Sequence, residues 1–596
     1  MTPRRPLRPL ARVFSARARG ENPDDIEAEE RAARLRARHR AERLKAEHRL
    51  LLLAATFVLA FGTVAARMSV LAASDPEEPR VTAAEQRIVA QRADIVDRNG
   101  AILATNLMTA SLYAQPHEMV DRVAAAAGLA RIFPDLDEAE LLKQFSGKRK
   151  FLWVQRTMSP EQQQAVMDLG EPGLKFGPRE MRLYPNGRLA AHILGGYGFG
   201  REGVHAAEVI GSAGVEREFD AFLRDPANGG QPLRLSIDLS VQAAVERVLA
   251  GGMQLMNAKG AAAVLMEART GKIVAMASLP DFDPNQRPLP PTQGDPSDSP
   301  LFNRAAQGVY ELGSTFKIFT VAQALETGIA TPDTIVDTSG PLTWGRFRIR
   351  DFRNYGPFLT LSDVIVKSSN VGTARVAMEL GAERQKAFLG SLGFFEPVPI
   401  TLPEASKSKP LFPPRWSEIS TMTISYGHGL AVTPLHLASG YASVVNGGLR
   451  VRPTLLADTP APTDADRVIS TETSRKIRQM LRAVVERGTA TMADVEGYRV
   501  GGKTGTADKP KRTGGYSENK VISTFAAVFP ADDPEYVLTV SLDEPEDRSG
   551  REPRRTAGWT AAPVAAEVIR RIAPLMNMRP LPKETPEDAL TVRTGN

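Results

Sequence analysis

The sequence predicts an α+β protein with a single N-terminal transmembrane helix, an elongated α/β part, and a larger domain in which an antiparallel sheet carries a helical subdomain. Three observations support this prediction. Residues 50–66 form an uncharged run long enough to approach the thickness of a bilayer. Between residues 231 and 576, strand-like segments stand at both ends and helical segments lie between them. The chain has 596 residues, more than one hydrophobic core usually supports.

Composition excludes several classes of protein. Apolar residues make up 42% of the chain, which is ordinary for a globular protein and excludes a mainly disordered one. The absence of Cys excludes a disulfide scaffold, a thiolate metal site and a cysteine nucleophile. The 7 His contain no HExxH or HxxxH pair, so we expect no metal and no cofactor. The net charge of +6 equals the charge of residues 1–49 alone, so the rest of the chain does not favour nucleic acid.

The beginning of the chain predicts a basic cytoplasmic tail over residues 1–49 and a transmembrane helix over residues 50–73. At about 1.5 Å per residue this helix spans about 36 Å, and a bilayer core is about 30 Å thick. The excess of Lys and Arg before the helix and the acidic DPEEP after it predict a cytoplasmic N-terminus, with residues from about 74 onward outside the inner membrane. A buried core helix and a cleaved signal peptide are the alternatives, and the long charged segment before the apolar run disfavours the signal peptide.

Further along, the residues from 74 to 230 mix short strand-like and helical pieces. A formal GxGxxG ends at Gly203, but no clear strand precedes it and no apolar helix follows it. We therefore interpret residues 195–203 as a loop and not as a nucleotide site. Beyond residue 231, two apolar runs on either side of Thr270-Gly271 predict a hairpin. Late strands are expected around residues 500–506, 521–529 and 536–540, and a loose tail over residues 577–596.

Ser314 and Lys317 are the first candidates for chemistry. They begin a predicted apolar helix, and a spacing of three residues places them on one face. A serine hydroxyl is a poor nucleophile unless a base removes its proton, and a lysine can do so when its amine is neutral. Burial, a nearby cation and the positive end of a helix all lower the pKa of a lysine. The Ser-x-x-Lys pattern also occurs at Ser406 and Ser517, in polar loops, so by itself it is also consistent with a helix cap and a solvated lysine.

Two further motifs follow in the chain. Ser368 and Asn370 lie on a turn after a helical run, and Lys503-Thr504-Gly505-Thr506 occurs once, after two glycines. Such glycines at a strand edge suggest a place where a ligand backbone can approach. The order Ser-x-x-Lys, Ser-x-Asn, Lys-Thr-Gly is the constellation of penicillin-recognising serine acyltransferases.

With these motifs the chain resembles a class B penicillin-binding protein, a membrane-anchored peptidoglycan D,D-transpeptidase, from about residue 92 to 570. The departures from the family pattern are Ala93 at a usual Gly, Leu312 at a usual Pro, and His428 and His436 where Gln is common. The resemblance implies a pedestal domain over residues 74–230 and a penicillin-recognising serine transpeptidase domain over residues 231–576. Its other signatures are the segments 92–100, 182–195, 214–216, 303–305, 310–313, 425–429 and 433–434.

For the reaction, the resemblance implies an acyl-enzyme on Ser314. Lys317 would be the base, and Ser368 with Lys503 would pass a proton to the leaving amine. Asn370 would hold the substrate amide and Lys317. The oxyanion hole would use the backbone N–H groups of Ser314 and Thr506. The hydroxyls of Thr504 and Thr506, helped by Lys503, would bind the terminal carboxylate, and Gly505 between them would belong to the same substrate-binding segment.

The resemblance also implies what the protein binds and where it works. The substrates would be peptidoglycan stem peptides, and β-lactams would acylate the same serine. Partners would include a polytopic glycan polymerase of the FtsW kind. The KTGT form and the compact pedestal resemble the division-specific FtsI type. The alternatives are an elongation-specific transpeptidase, a β-lactam hydrolase or sensor, a carboxypeptidase side activity, and a catalytically silent scaffold.

Overall fold

The computed structural model describes residues 14–15, 17–73, 92–202, 207–345, 347–511 and 514–581. The chain divides into two compact units, Met1–Thr82 and Ala83–Asn596.

The first unit consists mainly of one long helix. Helix α1 runs over Pro23–Ala73, so the charged and the apolar segments form one continuous helix. Within it, Arg49–Ser69 is long and apolar enough to cross a membrane. Leu59, in the middle of this stretch, is 75% exposed, and the stretch buries nothing against the described part of the chain. The core-helix alternative therefore has no support among the described residues.

The second unit begins with a small α/β part. Strand β2 is its centre, because β1, β3 and β4 all pair with it in antiparallel fashion. Its strands are β1 (Ile95–Val96), β2 (Ile102–Ala114), β3 (Leu152–Met158), β4 (Leu174–Leu183), β5 (Gly196–Glu202) and β6 (Ala207–Ala213). Its helices are α2 (Arg122–Ile132), α3 (Glu138–Phe145), α4 (Pro160–Met167), α5 (Ala191–Leu194), α6 (Gly214–Glu218) and α7 (Asp220–Arg224).

A buried ion cluster joins three of the segments that carried the family resemblance. Glu216 accepts hydrogen bonds from Arg92 Nε and Arg182 Nε, each at 2.7 Å, and none of these three side chains is more than 1% exposed. Removing one partner from such a cluster would leave an uncompensated buried charge, which is strongly destabilising. The signatures around these residues therefore have a structural explanation inside the fold.

The interpretation of residues 195–203 as a loop is wrong. Gly196–Glu202 is strand β5, and it pairs with β6 in antiparallel fashion. The alternation of side chains that reveals a strand is missing here because every second residue from Gly196 to Gly200 is glycine.

The larger part of the second unit is built on a five-stranded antiparallel sheet with the order β16-β17-β18-β8-β9. The predicted hairpin and the three late strands are confirmed. Strands β7 to β12 are Leu233–Arg234, Gly260–Glu267, Ile273–Leu279, Tyr310–Glu311, Ile335–Asp337 and Leu342–Trp344. Strands β13 to β18 are Phe347–Ile349, Phe358–Thr360, Ala431–Val432, Gly501–Pro510, Tyr516–Phe529 and Tyr536–Asp543.

Helices cover this sheet and build a subdomain beside it. Strand β8 is buried along nearly its whole length, which requires cover on both faces of the sheet. Helices α8 and α16 pack on each other and on the sheet, α14 also packs on it, and α9 to α13 form the predicted helical subdomain between β9 and β16. Helices α8 to α12 are Leu239–Leu255, Lys317–Glu326, Leu361–Lys367, Asn370–Leu380 and Ala382–Ser391. Helices α13 to α16 are Glu418–Ser425, Pro434–Val445, Thr471–Arg487 and Ala561–Leu575.

Candidate active site

The first site segment is a 3₁₀ turn, Gly313–Phe316, which continues directly into α9 at Lys317. In a 3₁₀ helix the side chains of residues i and i+3 eclipse each other, so Ser314 and Lys317 share one face more strictly than an α-helix would require. Ser314 is partly exposed, whereas Lys317 is completely buried. Within the described residues the Ser314 hydroxyl makes no hydrogen bond, and no bond joins it to the lysine amine.

Ser368 comes from the turn between α10 and α11. Its backbone is left-handed, with φ of 64°, where it ends α10, and Ser369 begins α11 by accepting a hydrogen bond from Gly372 N–H. A non-glycine residue in this conformation is uncommon and marks a constrained position. The turn reverses the chain so that the Ser368 hydroxyl faces the amine of Lys317, with Oγ 3.0 Å from Nζ.

Lys503 completes the cluster from strand β16, at the edge of the sheet. Its side chain is fully buried, and Nζ lies 2.9 Å from Ser368 Oγ and 3.2 Å from the carbonyl oxygen of Thr504. Two lysines that are 186 positions apart in the chain thus converge on one hydroxyl. The structure brings Lys317, Ser368 and Lys503 together as the motif order suggested.

The protons of this cluster can be assigned from the hydrogen bonds. The two amines lie no more than about 6 Å apart, so two positive charges would repel each other by about 3 kcal/mol. Burial, and next the charge of Lys503, hold the pKa of Lys317 well below its ordinary value, while Asp351 acts in the opposite direction. Burial lowers the pKa of Lys503 to about 7. The arrangement therefore favours a neutral Lys317 amine.

A neutral Lys317 has two N–H groups and one lone pair. Its N–H groups are used on the carbonyl and the hydroxyl oxygens of Ser368, which leaves the lone pair free to accept a proton. The Ser368 oxygen accepts from both lysines, so its own hydrogen is free to be donated. The cluster can take a proton from a hydroxyl on one side and deliver a proton on the other.

Asp351 is a site residue that sequence reasoning missed. Its carboxylate accepts hydrogen bonds from Ser369 Oγ at 2.7 Å and from the backbone N–H groups of Asn370 and Val371 at 2.6 and 3.0 Å. It therefore fixes the start of α11, where a negative charge interacts favourably with the helix dipole. No local pattern marks it, because it lies in a loop 17 residues before Ser368 and meets the turn only in the fold.

The predicted contact between Asn370 and Lys317 is not formed. Asn370 Nδ2 donates instead to the carbonyl oxygen of Arg350 at 3.0 Å. Asn370 is the first residue of α11, and the adjoining loop that holds Asp351 supplies the acceptor for its side-chain amide.

The Lys-Thr-Gly strand meets the nucleophile segment at backbone distance. An added Cβ on Gly505 would lie 2.2 Å from the carbonyl oxygen of Leu312, and one on Gly313 would lie 2.7 Å from that of Thr506. Glycine is thus required here for the strand and the 3₁₀ turn to touch. At Gly502, one of the two glycines for which the approach of a ligand backbone was suggested, an added Cβ would lie 2.5 Å from Phe525 Cζ, so this chain occupies that space as well.

The two threonines of the strand are held by neighbours. Thr504 Oγ1 lies 2.7 Å from Thr489 Oγ1, and Thr506 Oγ1 accepts a hydrogen bond from Ala557 N–H at 3.0 Å. Thr504 is 7% exposed, while Thr506 is more accessible. Neither Thr489 nor Ala557 carries a sequence signal, so both partners emerge only from the fold.

Comparisons with known proteins agree with this geometry. Residues 261–570 match the penicillin binding protein transpeptidase domain, and residues 87–232 match the penicillin-binding protein dimerisation domain. The chain is 37% identical over 505 residues to the probable peptidoglycan D,D-transpeptidase FtsI of Caulobacter vibrioides, covering 83% of each protein. It is 29% identical to the peptidoglycan D,D-transpeptidase FtsI of Escherichia coli, covering 86% of this chain and 87% of that one.

A solved structure is similar as well. The penicillin-binding protein 3 of Mycobacterium tuberculosis, complexed with ampicillin, superimposes with a TM-score of 0.63 at 27% identity, covering 83% of this chain and 98% of that chain. A two-domain enzyme with a serine–lysine active site on a sheet edge is the class that the fold and site define. The chain belongs to the penicillin-binding proteins, and its two matched domains place it in class B.

The charges around Lys317 predict opposite shifts in the pH dependence of acylation. Lys503→Gln removes a positive neighbour, so the pKa of Lys317 rises and the acid limb of the acylation rate moves to higher pH. Asp351→Asn removes a negative neighbour, so the limb moves to lower pH. Stopped-flow acylation by a chromogenic β-lactam measures both.

Lys509→Gln is the matched control, because Lys509 lies on the same strand but pairs with Asp543 and Glu544. The acid limb of the acylation rate of Lys509→Gln should stay at the pH of the wild-type protein. Limbs that move in the same direction in Lys503→Gln and Asp351→Asn would contradict the assignment of a neutral Lys317.

Proposed function

We propose that this protein is a septal peptidoglycan D,D-transpeptidase that works through an acyl-enzyme on Ser314 and is acylated by β-lactams at the same residue. The convergence of two buried amines on Ser368 Oγ, one of them from the lysine one turn after Ser314, supports this most directly. The similarity to the D,D-transpeptidases FtsI of Caulobacter and Escherichia supports the reaction and the FtsI type.

In the first step the Ser314 oxygen attacks the carbonyl carbon between the last two D-alanines of a stem peptide. Its proton goes to the lone pair of Lys317, which the hydrogen bonds to Ser368 leave free. The hydrogen of the Ser368 hydroxyl goes to the leaving amine. Lys317 then passes the proton that it took from Ser314 to the Ser368 oxygen. D-Alanine departs, and the remaining peptide is held as an ester on Ser314.

Substrate binding falls to the edge of the sheet. Lys503 carries the positive charge that suits the terminal carboxylate of the donor, and Thr504 and Thr506 flank Gly505 on the same strand. The backbone N–H groups of Ser314 and Thr506 form the oxyanion hole, for which the close contact of Gly313 with Thr506 gives the geometric support. Asn370, held by Arg350, binds the substrate amide at the rim.

The membrane arrangement is part of the proposal. Residues 1–49 are cytoplasmic, residues 50–73 cross the inner membrane, and residues 74–230 (pedestal) and 231–576 (transpeptidase domain) are periplasmic, followed by the tail 577–596. The Lys and Arg excess before the span supports this orientation. A polytopic glycan polymerase of the FtsW kind and other division proteins are the proposed partners, and nascent and lipid-linked peptidoglycan supplies the stem peptides.

A labelled penicillin should form one stable adduct, carried by Ser314. Ser314→Ala should abolish it, and Lys317→Ala should slow its formation by about 100-fold or more, since a positioned base contributes at that scale. Gel fluorescence and peptide mass spectrometry measure the adduct and its position. Ser406→Ala, in another Ser-x-x-Lys pattern, is the matched control and should keep full labelling. Rapid release of the label would favour a hydrolase instead.

The orientation predicts which residues an impermeant reagent reaches. The chain has no Cys, so a single introduced one reports its surroundings without background. A membrane-impermeant maleimide should label Ser549→Cys, an exposed position, in cells with a permeabilised outer membrane, and should label Ala18→Cys only after lysis. The reverse pattern would overturn the proposed topology.

The septal role predicts a position and a phenotype in the cell. A fluorescent fusion should concentrate at midcell, and depletion should produce filaments because septal cross-linking stops. Wild-type protein should restore division and Lys317→Ala should fail to do so, as measured by cell length. Uniform side-wall fluorescence with rounded cells after depletion would show the elongation branch, and rescue by Lys317→Ala would show a scaffold.

A further inference from the structure

A second cluster of ionisable groups adjoins the nucleophile, and the acylation chemistry above does not use it. Its centre is Glu311, three residues before Ser314. One carboxylate oxygen lies 3.2 Å from His428 Nδ1, the other accepts the backbone N–H of Gly429 at 2.8 Å, and the hydroxyl of Tyr516 lies 3.0 Å from the carboxylate. The carboxylate side chain is 14% exposed and the imidazole 30% exposed.

The position of this cluster is fixed by a contact between two glycines. An added Cβ on Gly427 would lie 2.0 Å from the carbonyl oxygen of Gly313, and Gly313 N–H donates to the carbonyl oxygen of Gly427. The next residues along these two touching segments are His428 and Ser314. Strand β10, which carries Glu311, also pairs with β15 just beyond His428. The imidazole and the nucleophile are therefore carried by the residues that directly follow the two touching glycines.

The contact with Glu311 decides which ring nitrogen of His428 faces the carboxylate with a hydrogen. Burial alone would raise the pKa of Glu311, but the hydrogen bonds from His428, Gly429 N–H and Tyr516 outweigh burial and lower it. An ionised carboxylate only accepts hydrogen bonds, so His428 Nδ1 must carry the hydrogen that faces it. In the neutral imidazole Nε2 then carries the lone pair. Within the described part of the chain Nε2 has no hydrogen-bonding partner.

The surroundings also suit a cation. The rings of Tyr426 and Tyr516 lie 5.5 and 6.1 Å from the imidazole ring, measured between centroids. Aromatic faces and a carboxylate both attract an ammonium group. The titratable groups that face the imidazole are Glu311 from β10, Tyr426 from its own segment and Tyr516 from β17, with Asp508 of β16 acting on Tyr516.

From this geometry we propose that His428, aligned by Glu311, is the catalytic residue that deprotonates the acceptor amine in the second half of the reaction. The proposal rests on the transpeptidase function proposed above. Glu311 is a positioning residue, because it acts through the imidazole. The motif gave no sign of this role, since the resemblance marks position 428 as one where Gln, which is not a base, is common.

The acceptor arrives as an ammonium and gives one proton to His428 Nε2. Its nitrogen lone pair then forms the C–N bond to the ester carbonyl on Ser314. The second proton leaves the nitrogen through Ser368 and Lys317 and reaches the Ser314 oxygen as the C–O bond breaks. The products are the cross-linked amide and free Ser314, and His428 returns its proton to solvent.

The test separates acceptor chemistry from acylation. The full-length protein in detergent is given a thioester donor that ends as the stem peptide does, with and without D-alanine as acceptor, and the ratio of aminolysis to hydrolysis products is measured. His428→Gln keeps the size of the side chain and a donor for Glu311 but has no basic nitrogen. We expect its ratio to fall about 100-fold, with an unchanged rate of Ser314 acylation by labelled penicillin.

Hydroxylamine as acceptor distinguishes a base from a structural support. It is largely unprotonated at neutral pH and needs no base, so the deficit of His428→Gln should largely disappear with it. A deficit of equal size with both acceptors would overturn the proposal in favour of a structural role. An unchanged ratio with D-alanine would also overturn it.

The matched control is His117→Gln in the pedestal, an exposed histidine that likewise lies beside a carboxylate, 3.4 Å from Glu118. It should leave the ratio unchanged. The proposed function fails separately, and visibly, if wild-type protein forms no penicillin adduct on Ser314. An adduct that forms normally, followed by acceptor-insensitive turnover in wild type, would refute the acceptor step while leaving acylation intact.

Discussion

The active site depends on one crowded oxygen, Ser368 Oγ, to which two buried lysine amines donate. Within the described residues neither amine has a carboxylate within ion-pair distance, and for Lys317 the more distant Asp351 offsets the effect of burial only in part. Two charged amines around one oxygen would cost several kcal/mol in repulsion and desolvation. The fold therefore gives the state with a neutral amine the lower free energy. A serine nucleophile needs such a neutral amine as its base.

This arrangement costs stability at neutral pH. A lysine whose pKa is lower in the folded protein binds fewer protons there than in the unfolded chain, so the free energy of unfolding rises with pH between the two pKa values. For Lys503 that window runs from about 7 to the ordinary lysine pKa of about 10.5. Below this pH window the free energy of unfolding is lowered by the full amount. The rest of the domain must supply the difference, and a sheet covered on both faces is a source of that stability.

The sequence predicted the elements with regular patterns and missed those that tertiary contacts define. The buried runs of β8 and β9, the late strands and the apolar start of α9 were predicted because their periodicity is local. Strand β5 was missed because glycine removes that periodicity. In the site, the grouping of Lys317, Ser368 and Lys503 was predicted because their motifs follow a known order in the chain. The roles of Asp351 and Glu311 depend on neighbours far away in sequence, and no spacing rule contains them.

The turn that carries Ser314 touches two segments of opposite electrostatic character, and under the proposed function this would let one site tell two similar peptides apart. On the Lys503 side a positive charge suits a donor that ends in a carboxylate. On the Glu311 side a carboxylate and two tyrosine rings suit an acceptor that arrives as an ammonium. A peptide bound the wrong way round would place like charges together on both sides. Because the backbone contacts of Gly313 with Thr506 and with Gly427 fix both sides to the same turn, the polarity of the cleft is built into the segment that carries the nucleophile.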